Sequence, residues 1–382
     1  MFNRIRSPDV KIVQKELSEE EFEYYSRQLA LAEIGYNGQV RLKNSRVCIL
    51  GCGGLGVPAM LMLTAMGVGH IRIVDRDIVS KSDLHRQYLY DAESVGRPKV
   101  EVADRKLRKL NPNITVEPLA EPIMNRNVSK IVDGADVAVD ALDSMDIRYL
   151  VNRACQQKRI PYIFAGAIES IANASTIIPG ETPCLECIFP GLTDSALPKC
   201  SLVGVHPAVI GVIASVQVYE TVSILTGKSP QLAGRLLLVS LGDLSFEKIN
   251  VSRHEACPVC GSRPRGEPHT IPERYFEEEC ARDGRRTFIL VPKRSIEIGL
   301  ERVLRRLREE GLMVKSEGEL GISFDYPGCF NLSLLKSGTM IAQISPSKVR
   351  VGLNDEIVSI YRRIIVDWLG VSPETVPDAP GA

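Results

Sequence analysis

A glycine loop between two apolar runs constrains the fold of this chain more than any other stretch of its sequence. Residues 47–50 form a β-rich apolar run, and an apolar helical pattern covers residues 58–66. Gly51, Gly53 and Gly56 lie between them with the G-x-G-x-x-G spacing of a nucleotide-binding turn. Glycines at these positions let backbone N–H groups approach phosphate oxygens at the positive end of the helix. The loop alone therefore predicts a nucleotide site, with NAD or FAD as the default ligand.

Strand-like and helix-like patterns alternate along the chain, which predicts an α/β fold with a doubly wound, mostly parallel sheet. After residue 165 the pattern changes to alternating strands, which indicates an antiparallel extension of the sheet. The predicted strands cover residues 47–50, 71–75, 116–119, 137–141, 162–165, 172–178, 236–241 and 246–251. The predicted helices cover residues 18–35, 58–66, 99–110, 145–157 and 207–225, the first of them opened by a capping box at Ser18.

A second, smaller α+β unit is predicted near the C-terminus. Residues 270–278 are predicted to form a linker, and the tail at 372–382 is predicted to be poorly ordered. We therefore expect two domains, residues 1–266 and 267–382. The strands predicted for the second are 287–291, 321–326, 331–335 and 340–344, and its predicted helices are 296–310 and 355–369.

The charge balance and the apolar pattern narrow the functional classes open to this chain. Lys plus Arg and Asp plus Glu both number 47 among 382 residues, so no overall basic field favours nucleic acid. Residues 1–13 lack a continuous apolar segment, and we find no apolar run of transmembrane length. Gln217 and Glu220 interrupt the apolar helical pattern at 207–225, which favours a core helix. We expect a cytoplasmic protein that binds neither nucleic acid nor membrane.

Four cysteines in two matched pairs form the strongest ligand pattern in the chain. Cys184 and Cys187 make one C-x-x-C pair, and Cys257 and Cys260 make the other. Four thiolates suit a closed tetrahedral zinc site, which leaves no open position for chemistry. The alternative is four buried or paired cysteines without a metal. The matched spacings favour a structural zinc ion that clamps the two pairs together.

Charged residues after the predicted strands suggest which nucleotide the glycine loop binds. Asp75 ends a strand nineteen positions after Gly56, where a carboxylate can accept hydrogen bonds from ribose hydroxyls. Arg86, Lys99 and Asp143 lie on loops beyond strand ends, where a doubly wound sheet binds ligands. Two cations suit a triphosphate, and a carboxylate suits its magnesium ion. Each residue alone is typical of a solvated surface, but together they favour nucleotidyl transfer over the hydride transfer of a dehydrogenase.

Further motifs join the glycine loop in a combination that is specific to one family. They are Arg27-Gln28-Leu29, Asp75-Arg76-Asp77, Asp83-Leu84-His85-Arg86-Gln87, Gly96-Arg97-Pro98-Lys99, Asp140-Ala141-Leu142-Asp143 and the four cysteines. With the loop, they resemble the MoeB/ThiF family and the ubiquitin-like protein activating enzymes over about residues 17–261. The resemblance implies a Rossmann-like, ThiF-type fold that uses ATP to adenylate the C-terminal glycine of a β-grasp partner.

The resemblance also implies a role for each motif. Asp75 would bind ribose, Arg86 and Lys99 would bind the phosphates, and Asp143 would bind magnesium. Arg27 would reach the ATP of the other protomer, which implies a homodimer. The further nucleotide-binding residues implied in this way are Gly51, Gly53, Gly54, Gly56, Asp77, Asp83 and Gln87.

Asp83 departs from the family pattern, which usually has Asn at this position. A second carboxylate near a triphosphate is repulsive unless it faces magnesium or a cation. The role of Asp83 in the site is therefore open.

Cys200 is the candidate nucleophile for a second step. It lies in Pro198-Lys199-Cys200-Ser201, ahead of the helical pattern at 207–225. A nearby helix N-terminus and Lys199 should favour the thiolate, which would attack an acyl-adenylate to give a thioester. Thioester-forming members of the family carry a cysteine in this loop. The alternative is a free, buried cysteine.

Three functions are compatible with these observations. The first is an ATP-dependent activating enzyme that passes a ubiquitin-like protein to Cys200 and then to a conjugating enzyme. The second is a sulfur-carrier adenylyltransferase that serves molybdopterin, thiamine or tRNA thiolation. The third is a non-catalytic scaffold like the inactive halves of heterodimeric activating enzymes. Retention of Arg86, Lys99 and Asp143 argues against the scaffold.

The C-terminal unit favours the first of these functions. Sulfur-transfer versions often carry a rhodanese domain, whose active cysteine lies in a basic, glycine-containing loop. Neither Cys280 nor Cys329 is placed in such a loop. A small α+β appendage suits the docking of a partner, and we expect residues 267–382 to dock one.

Overall fold

The computed structural model describes residues 15–196, 203–280, 286–328 and 330–380. Three short helices open the described chain. They are α1 (Glu19–Tyr24), α2 (Ser26–Leu29) and α3 (Gly35–Lys43).

The N-terminal helices confirm the capping box and correct the length of the predicted helix. The Ser18 hydroxyl accepts a hydrogen bond from the N–H of Glu21, whose carboxylate accepts one from the N–H of Ser18. The single helix predicted for residues 18–35 is wrong, because the helix stops at Tyr25. That ring is buried, and Asn111 donates a hydrogen bond to its hydroxyl. A tertiary contact therefore overrides the local helical pattern.

An eight-stranded sheet forms the larger unit and confirms the predicted α/β class. Its strands are β1 (Arg46–Leu50), β2 (His70–Val74), β3 (Thr115–Leu119), β4 (Val137–Asp140), β5 (Tyr162–Ile168), β6 (Ile171–Ile177), β7 (Arg235–Ser240) and β8 (Ser245–Asn250). Their order is β3-β2-β1-β4-β5-β6-β7-β8. The strands from β3 to β5 pair in parallel, and those from β5 to β8 pair antiparallel. The antiparallel extension is thus also confirmed.

Helices cover both faces of this sheet. Ile49 points to the face covered by α4 and α5, and its neighbour Leu50 points to the face covered by α7. This alternation is the two-residue period of a buried parallel strand. The helices are α4 (Gly56–Ala65), α5 (Lys99–Leu110), α6 (Val128–Val132), α7 (Met145–Lys158), α8 (Leu185–Ile188) and α9 (Pro207–Leu225).

The long helix α9 has the bounds that its sequence predicts. Within the described residues it is the one helix long and apolar enough to cross a membrane, which corrects the expectation of no such run. Most of it is nevertheless buried in the protein. The amide of Gln217 donates to the carbonyls of Asp140 and Ile163, and Glu220 accepts from Thr176. These buried polar contacts tie α9 to the sheet and mark it as a core helix.

A separate six-stranded antiparallel sheet forms the second unit. Its strands are β9 (Phe276–Cys280), β10 (Arg286–Leu290), β11 (Val314–Glu317), β12 (Gly321–Tyr326), β13 (Phe330–Leu335) and β14 (Met340–Ile344). Their order is β11-β12-β13-β14-β10-β9. Two helices, α10 (Leu300–Glu309) and α11 (Leu353–Arg362), pack on one face.

Two of these strands correct the sequence prediction. β11 was not predicted, and β9 lies largely inside the stretch 270–278 that was predicted to be a linker. Three consecutive glutamates at 277–279 replace the alternation of apolar and polar residues from which a strand could be predicted. Pairing with β10 and an ion pair of 2.7 Å between Glu278 and Arg286 hold it in the sheet. The boundary between residues 266 and 267 stays a prediction.

The tail is more ordered than its sequence predicts. Thr375 and Val376 are buried, and the carbonyl of Thr375 accepts from the N–H of Lys293 at 2.9 Å. Lys293 also pairs with Asp378 at 2.7 Å. The expectation of a loose tail is therefore wrong as far as Asp378.

The second sheet packs against the first unit through apolar side chains. Leu335 on β13 is fully buried and belongs to the same core as Val79 and Leu89 of the first unit. Ile289 and Met124 meet in a second, smaller contact. The face of the second sheet that lacks helices is thus covered by the first unit.

Candidate nucleotide site and metal centre

Two of the three motif glycines are required by close packing, and the third leaves open space. A Cβ on Gly51, whose φ is +102°, would overlap the carbonyl oxygen of Ala141. A Cβ on Gly56 would overlap the carbonyl oxygen of Gly51. At Gly53 the nearest atom would be the Gln87 amide nitrogen at 3.9 Å. The loop is therefore packed tightly on its inner side and can admit a ligand beside Gly53.

The same loop offers backbone donors to an anion. In the described part of the chain, the N–H groups of Gly54 and Leu55 have no recorded acceptor. Both lie just before α4, whose N-terminus carries positive partial charge. This arrangement suits a phosphate group.

Asp75 ties the end of β2 to the glycine loop. Its two carboxylate oxygens accept the N–H groups of Cys52 and Asp77, each at 2.7 Å. Burial and then the neighbouring Asp77 carboxylate raise the pKa of Asp75 to about 6, although Lys99 opposes them. Each carboxylate oxygen has a second lone pair, so the group can still accept from a ribose.

Lys99 is the buried cation of the site and opens α5. Its ammonium lies 3.1 Å from Asp77 Oδ2 and 3.8 Å from Asp83 Oδ2. Burial lowers the pKa of Lys99, but the carboxylates of Asp77, Asp75 and Asp83 more than offset this and raise it. Lys99 is therefore fully charged and held in place before any ligand arrives.

Asp83 faces cations and donors rather than open solvent. Its Oδ1 accepts from Arg86 at 3.1 Å and from Gln87 at 2.9 Å, and its Oδ2 accepts from the N–H of Ser80 at 3.0 Å. Lys99 lies close as well. The unusual carboxylate is thus neutralised by its surroundings, and it orients the side chain of Arg86.

Two other predicted residues form no ion pair with this cluster, and a third lies outside the described part of the chain. Asp143 is exposed in the loop after β4, and Arg27 is exposed on α2; neither forms an ion pair within the described ranges. Cys200 lies outside the described residues. The roles predicted for Asp143, Arg27 and Cys200 stay predictions.

The structure adds residues to the site that the sequence did not indicate. Arg148 on α7 pairs with the buried carboxylate of Asp140 at 3.1 Å and donates to the carbonyl of Leu142, which fixes the loop after β4. Arg76 pairs with Glu277 on β9 of the second sheet. No sequence signal links residues 201 positions apart, so only the fold reveals the second pair.

Glu279 on β9 brings a further carboxylate near the nucleotide residues. Desolvation and then the charges of Asp77 and Asp143 raise its pKa to about 7, and Arg76 opposes them. The edge strand of the second sheet therefore borders the predicted ATP site. The sequence missed this because β9 was predicted to be a linker.

The four predicted zinc ligands come together as expected. In the described part of the chain they are the one group of three or more potential metal ligands close enough to share an ion, with all sulfurs within 4.8 Å of one another. The Sγ atoms of Cys184 and Cys257 are 3.7 Å apart, and those of Cys187 and Cys260 are 3.4 Å apart. Four thiols at tetrahedral spacing suggest zinc.

Backbone geometry around the second cysteine pair supports the metal site. A Cβ on Gly261 would overlap backbone atoms of Glu255 and Cys257, so only glycine fits this tight turn. Arg253 donates to the carbonyl of Cys260 at 2.6 Å. The turn is therefore fixed by groups outside the ligand set, as in structural metal sites.

The fold and these residues agree with comparison to known proteins. The profile of the ThiF family matches residues 25–259, which is more than half of the chain. The chain belongs to the ThiF family of E1-like adenylyltransferases. The family match covers the first sheet, the nucleotide residues and three of the four cysteines.

Curated relatives of this ThiF-family chain are similar over about two thirds of its length. The SAMP-activating enzyme E1 of Haloferax volcanii is 37% identical over 258 residues, which is 67% of this chain and 94% of the relative. The sulfur carrier protein adenylyltransferase of Thermus thermophilus is 39% identical over 254 residues, 65% of this chain and 93% of the relative. The adenylyltransferase and sulfurtransferase MOCS3 of Drosophila sechellia is 35% identical over 264 residues, which is 69% of this chain and 58% of that protein.

Solved structures of E. coli MccB have the same fold. MccB with ATP is 29% identical with a TM-score of 0.56, and the match covers 62% of this ThiF-family chain and 73% of MccB. MccB alone is 28% identical with a TM-score of 0.58, and the match covers 66% of this chain and 76% of MccB.

Proposed function

We propose that this ThiF-family chain adenylates the C-terminal glycine of a β-grasp protein, of the ubiquitin-like or sulfur-carrier type, with ATP. The names of the Haloferax and Thermus relatives support the reaction and this class of partner. The observation that carries the proposal is the buried Lys99, held between Asp77 and Asp83 close to the glycine loop. A preformed cation beside orphan loop N–H groups suits a triphosphate.

The residues support adenylation without a general base. The partner's terminal carboxylate is already ionised at neutral pH, so it can attack the α-phosphorus directly. The bond from that phosphorus to the bridging oxygen breaks, and pyrophosphate leaves with the electron pair. Lys99 and Arg86 would neutralise the charge of the leaving group, and Asp75 would hold the ribose. Asp143 would hold magnesium, which supplies further charge neutralisation.

We further propose a thioester step on Cys200. Its thiolate would attack the acyl carbon of the adenylate, AMP would leave with the bonding electrons, and the thiol proton would pass to solvent. A conjugating enzyme would then accept the acyl group, docked on residues 267–382. Because the first unit covers one face of the second sheet, the helix side with α10 and α11 is the surface left for this partner.

The decisive experiment combines pyrophosphate exchange with non-reducing gels. The chain is incubated with ATP, magnesium and candidate β-grasp proteins. We expect ATP–pyrophosphate exchange and a thiol-sensitive adduct, and Cys200→Ala should lose only the adduct. Ser201→Ala, at the neighbouring position, is the matched control and should keep both. An adduct that persists in Cys200→Ala would refute the thioester step, and absence of exchange with every partner would refute the adenylation.

A simple sulfur-carrier adenylyltransferase is the second candidate. The Thermus thermophilus relative, at 39% identity over 93% of its own length, favours it. In this case exchange occurs without an adduct, and Cys200→Ala behaves as the unmodified chain. The same gel therefore separates the two functions.

A further inference from the structure

The second sheet contacts the part of the first unit that carries half of the predicted nucleotide residues. We define the phosphate segment as residues 75–101, from the end of β2 to the first turn of α5. Contacts from the second sheet reach it at residues 76, 80, 96 and 101. The predicted ATP-binding residues in this segment are Asp75, Asp77, Asp83, Arg86, Gln87 and Lys99.

The first contact fixes the turn that places Lys99. Gly96, with φ of +85°, forms this turn, and its N–H donates to the carbonyl of Val79 at 2.9 Å. Its carbonyl points the other way and accepts from two hydroxyls of the second sheet. These belong to Ser316, at 3.0 Å, and to Ser323. The turn is therefore held between the two units.

The second contact fixes the start of α5. The carboxylate of Glu101 accepts the N–H of Leu320 at 2.9 Å. A Cβ on Gly318 would overlap that carboxylate, and a Cβ on Gly321 would lie 2.7 Å from the ring of Pro98. Glycines at these two positions thus allow the second sheet to approach α5 closely.

The third contact lies at the opposite end of the segment. Arg76 stands between Asp75 and Asp77, and its guanidinium forms two hydrogen bonds to Glu277, of 2.6 and 2.9 Å. Both side chains are mostly buried, so water screens this bidentate pair weakly. The pair ties strand β9 to the nucleotide carboxylates.

A weaker polar contact joins Ser80, near the start of the segment, to the same sheet. The amide of Gln343 donates to the hydroxyl of Ser80 at 3.3 Å. Ser80 is also the residue whose N–H anchors the carboxylate of Asp83. The polar contacts of the second sheet therefore lie near both ends of the phosphate segment.

We propose that the second sheet is a clamp that holds the phosphate segment in its ATP-binding conformation, with Ser316, Ser323 and Glu277 as positioning residues. This inference rests on the proposed use of ATP. The segment consists largely of loops and short turns, and such segments lose order easily without tertiary contacts. A clamp removes much of the ordering cost before ATP binds. By linkage, bound ATP must in turn stabilise the clamp contacts.

Two variants of the full chain test the clamp. Ser316→Ala with Ser323→Ala removes both donors to Gly96, and Glu277→Gln removes the charge that faces Arg76. We expect each to raise the KM for ATP about fivefold with kcat within about twofold, because hydrogen bonds of this kind each contribute a few-fold. Amide hydrogen exchange of residues 77–101 without nucleotide should become faster. In the unmodified chain, ATP with magnesium should slow exchange at residues 316–323.

Matched controls separate positioning from general stability. Ser359→Ala alters an exposed serine on α11, and Glu309→Gln breaks an exposed ion pair with Arg306 on α10. Both should leave the KM for ATP unchanged. If the test variants match these controls in KM and in exchange of residues 77–101, the clamp is refuted. Failure of the unmodified chain to turn over ATP would refute the proposed function instead, and exchange without nucleotide would still test the clamp.

Discussion

At the scale of single residues, Asp83 shows how a local charge is accommodated. The carboxylate accepts hydrogen bonds from Arg86, Gln87 and the N–H of Ser80, and the ammonium of Lys99 lies 3.8 Å away. Both of its oxygens therefore face a cation or a hydrogen-bond donor. Such a carboxylate does not add net repulsion toward a triphosphate, because its charge is already balanced. It instead fixes the geometry of the arginine that the triphosphate is proposed to meet.

Asp83→Ala should therefore weaken ATP binding rather than strengthen it. Without the carboxylate, Arg86 loses its charged partner and samples more conformations. We expect the KM for ATP in pyrophosphate exchange to rise about tenfold, in line with loss of a charge-assisted hydrogen bond. Asp104→Ala breaks an exposed pair with Arg108 on α5 and serves as the control. A lower KM in Asp83→Ala would show that repulsion dominates.

Asp75 should give ATP binding a pH dependence. Its pKa is raised to about 6, chiefly by burial, and ribose hydroxyls bind best to the charged carboxylate. ATP binding therefore releases a proton near this pH, and the KM for ATP should fall as the pH rises from about 5 to about 7. Asp75→Asn should have a higher KM that no longer varies in this range. Steady-state exchange at several pH values measures both, and a slope that survives in the variant would assign it to another group.

Residues that belong to a local sequence pattern could be predicted from the sequence. Residues held by partners that are distant in the sequence could not. Gly51, Asp75 and Lys99 follow strands at spacings that the sequence displays, and the structure brings them together. Glu277 carries no such signal. Its partner Arg76 is 201 positions away, on the other sheet. The sequence therefore predicts the nucleotide residues but misses what supports them.

At the scale of elements, the two cysteine turns join distant parts of the chain. The two cysteine pairs come from the turn at α8 and from the loop after β8, 73 positions later. A metal ion that binds both pairs only in the folded chain would add its binding free energy to folding. The elements between the pairs include the whole of α9, which packs on the central strands.

Loss of one zinc ligand should lower stability measurably. We expect Cys260→Ser to lose zinc and to lower the Tm by about 10 °C, since metal binding is coupled to folding. Calorimetry and zinc analysis of the purified chain measure the two effects. Cys155→Ala, a buried cysteine outside the cluster, should retain zinc. Equal zinc content in both variants would contradict the assignment of the site.

The elements that the sequence predicts best are those stabilised by their own pattern. Helix α9 begins at Pro207 and is largely apolar, so its limits are visible in the sequence. Strand β9 has three consecutive glutamates and exists because β10 pairs with it and Arg76 and Arg286 bind its side chains. A strand that depends on its neighbours in this way shows no strand pattern in its own sequence.

At the scale of the whole molecule, the chain is two sheets that share a buried boundary. The second sheet presents helices on one face and the first unit on the other. A ligand of the first unit is therefore expected to affect the second. In the homodimer implied by the family resemblance, the exposed Arg27 on α2 would reach the nucleotide site of the partner protomer.

A mixing experiment tests whether Arg27 acts across a dimer. At an ATP concentration near the KM of the unmodified chain, Arg27→Ala and Asp75→Asn should each have little exchange activity alone. If Arg27 serves the partner's site, mixed dimers contain one site with both residues intact, and an equal mixture should recover about a quarter of the normal exchange activity. Sedimentation of each variant checks that dimers persist. No recovery after subunits have exchanged would place Arg27 in its own site or outside any site.

The close approach of Gly318 to Glu101 has a consequence for how related sequences can diverge. A side chain at residue 318 would require either a smaller residue 101 or movement of the Glu101 carboxylate away from the N–H of Leu320, so the two positions should vary together wherever the second sheet is inherited. In homologues that lack this sheet, residue 101 would face solvent, and its identity should vary independently of residue 318. The pair is therefore a marker, readable from sequence alone, for which chains of this family carry the appended sheet in the same position.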